Sequence, residues 1–295
     1  MSTTTTEAPA VIHNSAARQG PLALLWEAIR EISSRRRLVR YLVQADIKRR
    51  GVNTVLGNLW WVLDPLLLML VYLVFVAVVT TRSIPDFPLF LFSAILPWKW
   101  FTVAVTDSAN SVVSQQRLIK QIAFPKIVLP VSSTVAGIVG FAFGLIPLFG
   151  IMLLFPERLS LFPAFIPVVA VVQFAFTLAI GVLVAAGNVF FRDLGNVIGH
   201  LLRLWWYLSP GLYSLAQLDN VELLDEFPVL HTLITANPFA VLFEAYRTII
   251  YGSPEGLPTF PDFGALAAVL LVSLVLLAVS TVIFKRLEPT FAKVL

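Results

Sequence analysis

The 295-residue sequence contains no cysteine, which excludes a disulfide framework, a thiolate metal site and a cysteine nucleophile. Histidine is almost as scarce. His13, His200 and His231 fall too far apart in the topology for a histidine metal centre, and no Ser-His-Asp set can be drawn across one face of a membrane. No Gly-x-x-x-x-Gly-Lys-Ser/Thr stretch occurs, so the chain lacks the standard loop that cradles a nucleotide phosphate. Charge is sparse as well: Asp, Glu, Lys and Arg make up 13% of the residues against 58% hydrophobic ones, and the mean hydropathy is +0.86. A soluble domain is about half apolar and about a quarter charged. The solvent for most of this chain is lipid.

Six stretches satisfy the requirement of about 20 largely apolar residues for a spanning helix. They run at approximately 59–80, 87–106, 127–155, 161–191, 194–215 and 263–284. The third, fourth and sixth contain no Asp, Glu, Lys or Arg; the second holds Lys99, and the fifth holds His200 and Arg203. Proline pairs (Pro85 and Pro88, Pro156 and Pro163, Pro258 and Pro261) punctuate the connections, where a missing backbone donor does little harm.

The formal charge of +4 is explained by where the cations lie. Arg18, Arg30, Arg35, Arg36, Arg37, Arg40, Lys48, Arg49 and Arg50 precede the first span; Arg117, Lys120 and Lys126 fall in the second loop, Arg192 in the fourth, and Lys285, Arg286 and Lys293 at the C-terminus. Only Arg82, Arg158 and Arg247 fall on the other side. This positive-inside asymmetry predicts that both termini are cytoplasmic and requires no nucleic-acid partner.

Residues 1–20 have no apolar core of a signal peptide, and 1–34 are expected to form a mostly disordered cytoplasmic tail, leaving 35–295 as the membrane domain. Arg35 to Leu56 places Leu38, Leu42 and Ala45 on one side and cations on the other. That suits an amphipathic helix in the membrane interface; a soluble cytosolic helix is the alternative. Between the fifth and sixth spans, acids at Asp219, Glu222, Asp225 and Glu226 precede two apolar pieces, 229–236 and 239–251, split by Asn237 and Pro238. Each is too short to cross, so a re-entrant external hairpin lining a cavity is expected.

The loop SVVSQQRLIKQIAFPK, 111–126, sets Leu118, Ile119 and Ile122 at helical spacing. Such a short amphipathic helix either plugs into a cytoplasmic partner or rests on headgroups. Aromatic residues gather at Trp60 and Trp61, Trp98 and Trp100, and Trp205, Trp206 and Tyr207. They form a membrane-anchoring belt or, where they line a pore, a stacking surface for sugars. Lys99 either snorkels to the outer interface or meets an anionic diphosphate. Arg203 has two partners within reach of the argument, a lipid carrier or Asp193. Glu244 and Arg247, three apart on one half-helix, are expected to pair with each other.

Taken together, KRRGVNTVLGNLWWVLDPLL from Lys48, LPWKWF from Leu96, LIKQIAFPKIVLP from Leu118, NVFFRDL from Asn188, YLSPGLY from Tyr207, NPFAVLFEAYRTIIYG from Asn237 and the tail FKRLEPTFAKVL resemble the ABC-2 type permeases that export O-antigen, teichoic acid, capsule or galactan chains. The resemblance runs from about residue 35 to the end. It implies an all-α membrane protein of six transmembrane helices, with an N-terminal interface helix and the re-entrant hairpin. It also implies a homodimer in the bacterial cytoplasmic (inner) membrane, working with two copies of a cytoplasmic ABC ATPase that binds ATP and Mg. The cargo would be a lipid-linked glycan, and no cofactor would bind this chain itself.

By the same resemblance Gln115, Gln116, Arg117, Leu118, Ile119, Lys120, Gln121 and Ile122 correspond to the ATPase-coupling helix, and Asn237, Pro238, Glu244 and Arg247 to the external gate. A substrate path lined by the first and fifth spans would draw on Trp60, Trp61, Asp64, Lys99, Arg203, Trp205 and Tyr207. Two positions depart from the family: Lys48-Arg49-Arg50 stands where a tyrosine is frequent, and Asp64 where an asparagine often precedes the proline. The rival readings are an ion-coupled secondary transporter and a membrane-embedded glycosyltransferase. The first is opposed by the absence of repeated halves and of ionisable residues in the middle of three spans. The second would want grouped acids for a metal and a sugar nucleotide, and only Asp219 to Glu226 are grouped.

Overall fold

The computed structural model describes residues 20–51, 54–79, 84–215, 228–254 and 256–295; every regular element among them is helical. Helix α1 (Pro21–Ser34) falls inside the stretch expected to be a mostly disordered tail. It is held because Leu24 and Ala28, one turn apart, are buried on one face. The expectation for residues 1–19 lies outside the described residues. After Arg35 the chain enters α2 (Arg36–Gly51), which buries no residue fully. Residues 52 and 53 lie outside the described residues, and 54–56, inside the predicted helix, are not helical.

Among the described residues, five helices are long and apolar enough to cross a membrane: Gly57–Val78, Phe87–Gln121, Val128–Leu153, Phe162–Phe190 and Phe263–Val294. Within them lie α3 (Trp60–Val79), α4 (Phe87–Ser114), the short α5 (Gln116–Gln121), α6 (Val128–Leu153), α7 (Ile166–Phe190) and, after the break described next, α11 (Phe263–Val294). The chain is therefore a multi-pass membrane protein. The predicted end of the first span, Thr80, lies outside the described residues.

The expected fifth span does not form as one helix. Helix α8 (Leu194–Leu208) has 15 residues, a length of about 22 Å against a hydrocarbon core of about 30 Å. It stops because Ser209 precedes Pro210 and is driven into the extended region, with ψ 146°. After the acidic stretch 219–226, which lies outside the described residues, come α9 (Pro228–Thr235) and α10 (Pro238–Ile250). Asn237 caps α10, its side chain accepting from the Phe239 N–H at 3.0 Å, with Pro238 at the first helical position.

Helix α4 is the axis of the bundle and packs on α3, α6, α7, α8 and α10. Small residues let the helices approach. A Cβ on Gly181 of α7 would meet the Ser108 Oγ of α4 at 2.9 Å, and that hydroxyl contacts Thr134 of α6 at 3.1 Å. In lipid, where apolar burial gives no drive between helices, such close approach and shared hydroxyls hold them together. Pro97 inside α4 is matched by buried Gln173 of α7, which donates to the Pro97 carbonyl at 2.8 Å. One end of the bundle carries α1, α5 and the end of α11; the other carries the connections near residues 85, 158 and 253.

A candidate substrate path and a coupling surface

Two cavities flank Lys99. The first, about 360 Å³, is lined by Arg50, Trp60, Trp61, Asp64, Lys99 and Trp100, among others. The second, about 450 Å³, lies between α3, α4 and α8 and is lined by Tyr72, Trp98, Lys99, Thr102, Arg203 and Tyr207, among others. Lys99 bonds Asp64 across the first, Nζ to Oδ2 at 2.5 Å. It is thirteenth in α4, about 18 Å along the axis from Phe87, so it pairs within the bundle instead of reaching the far interface. Among the described residues, no carboxylate lines the second cavity. It offers two cations, hydroxyls and aromatic faces, a set that suits phosphate and sugar together. The structure thus groups Trp60, Trp61, Asp64 and Lys99 around one space, and Lys99, Arg203 and Tyr207 around the next. Arg203 lies more than two helical turns from Asp193, which precedes α8.

Trp205 points elsewhere. Its indole N–H donates to the Asn237 side-chain oxygen at 3.0 Å, and its ring packs edge-on against Phe101, Phe176 and Phe239. Asn237 also donates to the Ser209 hydroxyl at 2.7 Å. Arg247, 2% exposed, donates to the carbonyls of Gly211 at 2.7 Å and Tyr213 at 3.1 Å and lies 3.8 Å from the centre of the Phe90 ring. The expected Glu244–Arg247 pair does not form. Carbonyls freed by the Ser209-Pro210-Gly211 break take the guanidinium, and Glu244 faces outward. Helix α10 therefore grips the YLSPGLY segment at both of its ends.

At the terminus-bearing end, α5 splits the predicted coupling residues. Ile119 is buried among Phe124, Phe284 and Phe291, with Leu118 packed alongside. Arg117, Lys120, Gln121 and Ile122 are exposed, Gln115 and Gln116 half-buried. Nearby, Lys285 of α11 meets three carboxylates, Glu27 at 2.9 Å, Glu31 at 2.8 Å and Glu288 at 3.0 Å. Glu288 also accepts from the Lys126 backbone N–H at 2.6 Å, so the FKRLEP motif ties α1, α11 and the exit of the α5 loop into one cluster. Burial pushes the Glu31 carboxyl above the usual range, although Lys285 opposes it. Arg50 of α2 bonds Asp107 of α4 and Asp46, the latter at 3.0 Å.

No family model matches the chain. It is similar to the O-antigen export system permease protein RfbA of Myxococcus xanthus, 33% identical over 265 residues, covering 90% of this chain and 98% of that protein. The chain belongs to the O-antigen export permeases. Two O-antigen export system permease proteins RfbA of Klebsiella pneumoniae are 27% and 26% identical, each match covering 88% of this chain and 95% of the relative. The ABC-2 type assignment made on the motifs stands: this is the transport subunit of an exporter.

Several residues that shape the permease are not among the predicted site residues. Arg158, 8% exposed, bonds Asp86 at 2.9 Å and donates to the carbonyls of Tyr251, Ser253 and Gly256. Asn188, inside NVFFRDL, donates to the Ala109 carbonyl and accepts from the Gly195 N–H, both at 2.8 Å, so it fixes the start of α8 against α4. A polar residue in an otherwise apolar span was the available clue for Asn188 and Gln173; a surface-looking arginine gave none.

Proposed function

We propose that the permease is the membrane half of an ATP-driven exporter of lipid-linked polysaccharide, built from two copies of this chain and two copies of a cytoplasmic ABC ATPase that holds ATP and Mg. One observation carries the reading. Helix α3 buries almost nothing: Leu67, Leu70, Val71, Val74, Phe75 and Val78 are all exposed, and the cavities flanking Lys99 open beside it. A single chain supplies one wall of a conduit, and a second copy supplies the other.

In this reading the permease sits in the bacterial inner membrane with both termini cytoplasmic, which puts the exposed face of α5 toward the ATPase. Arg117, Lys120, Gln121 and Ile122 form the docking surface, while Ile119 holds α5 to the bundle. Helix α8 and the Ser209–Gly211 turn make the fifth of six crossings, and α9 and α10 form the re-entrant external gate. Contacts of Phe239 with Phe101 and of Tyr251 with Phe90 support this, since they run α10 from mid-bundle to the far end. The diphosphate of the carrier rests between Lys99 and Arg203, and sugars slide over the exposed Tyr207.

Co-purification of the tagged permease with a candidate ABC ATPase tests the proposal. Wild type is expected to bring down the ATPase and Ile122→Asp to lose it while remaining folded. Failure of wild type to retain any ATPase overturns the export mechanism, and sugar transfer by the purified chain alone replaces it with the glycosyltransferase reading.

A further inference from the structure

We infer that Asp64 is a specificity residue: it occupies Lys99 at rest, and only a headgroup with more than one phosphate charge displaces it. The inference rests on the proposed export of a diphosphate-linked glycan. Among the described residues, Lys99–Asp64 is the one ion pair joining α3 to α4. The Lys99 and Asp64 side chains are 27% and 54% exposed. The pair lines the open first cavity, so it exchanges more readily than one sealed in the core.

The geometry makes the exchange directional. Asp64 lines only the first cavity, whereas Lys99 lines both, and Arg203 waits in the second with no carboxylate beside it. A phosphodiester headgroup, as on bulk phospholipid, carries about one negative charge and a diphosphate diester about two. The single phosphate offers Lys99 no more than the tethered Asp64 does, and tethering gives Asp64 a high effective concentration. The diphosphate bridges Lys99 and Arg203 at once and wins. Asp64 thus keeps abundant membrane lipid out of a path whose cations would otherwise admit it.

The test is binding of decaprenyl diphosphate and of phosphatidylglycerol, a phosphodiester with one negative charge, to the detergent-purified full chain, followed by native mass spectrometry. Wild type is expected to favour the diphosphate by about tenfold, the size of one partly screened charge contact. Asp64→Asn is expected to bring the two ligands near parity by gaining the phosphodiester. The exchange variant Asp64→Lys with Lys99→Asp keeps the ion pair but replaces one of the two cations of the second cavity with a carboxylate, and is expected to lose the diphosphate. An unchanged ratio in Asp64→Asn, or diphosphate binding retained by the exchange variant, overturns the role of Asp64. Wild type binding neither ligand overturns the underlying reading of the cavities as well.

Discussion

The indole N–H of Trp205 donates to the side-chain oxygen of Asn237 across 32 residues of sequence, at 3.0 Å. The same oxygen caps α10, and the Asn237 amide holds Ser209. Replacing Asn237 by alanine frees three groups at once, at a cost of about 1–3 kcal/mol given how modest single polar contacts are within membranes. The expected result is a lower thermal midpoint in detergent and loss of export, with Asn237→Asp, which keeps the acceptor, closer to wild type. Equal midpoints for Asn237→Ala and wild type would show that α10 is positioned without this clasp.

Ile119 and Ile122 look equivalent in sequence, three apart on one amphipathic segment, yet one is buried and the other 51% exposed. Ile119→Asp puts a carboxylate among Phe124, Phe284 and Phe291 and should cost about 3 kcal/mol or more. Ile122→Asp should leave the midpoint unchanged. Comparing thermal midpoints of the two variants checks this, and a stable Ile119→Asp protein counts against the packing of α5.

What could be read from sequence, and what could not, follows the same line. Hydropathy located α3, α4, α6, α7 and α11, because about 20 apolar residues in a row have few fates. It failed at α8, where a 22-residue apolar stretch hides the Ser209-Pro210-Gly211 break that ends the helix at 15 residues. Lys99, Asp64, Arg203 and Trp205 were each singled out. Their partners were not, because Lys99 and Asp64 meet only once α3 folds back on α4. The expected Glu244–Arg247 pair lost to backbone carbonyls that no local spacing rule foresees.

Glu31 gives a pH signature with a defined sign. Its folded pKa is raised above the ordinary 4.5 by burial, so the folded chain keeps this proton where the unfolded chain has released it. The contribution of Glu31 to stability therefore falls as pH rises above the ordinary value and through the raised one. Glu31→Gln removes that titration and still offers Lys285 an acceptor. Between about pH 5 and about pH 8, the wild-type midpoint should drop relative to that of the variant. Parallel curves would place the pH sensitivity outside this cluster.

Arg158 holds the far end of the bundle through its shape as well as its charge. One guanidinium bonds Asp86 and the carbonyls of Tyr251, Ser253 and Gly256, and lies 4.5 Å from the centre of the Tyr251 ring. The strain of Asp86, a non-glycine residue at φ 50°, is sustained by this bond. A lysine supplies the charge but neither the planar fork nor the stacking face, so Arg158→Lys is expected to rescue little of what Arg158→Ala loses, about 3 kcal/mol. The consequence runs into the transport path: Tyr251 ends α10 and donates to the Pro85 carbonyl at 3.0 Å, so releasing it loosens the helix that carries Arg247 and Asn237. Single cysteines at Ser253 and Asp262, introduced into a chain with none of its own, allow a spin-label distance measurement across this connection. A broadened distribution in both Arg158 variants is expected, whereas a narrow one in Arg158→Lys would mean that charge alone suffices.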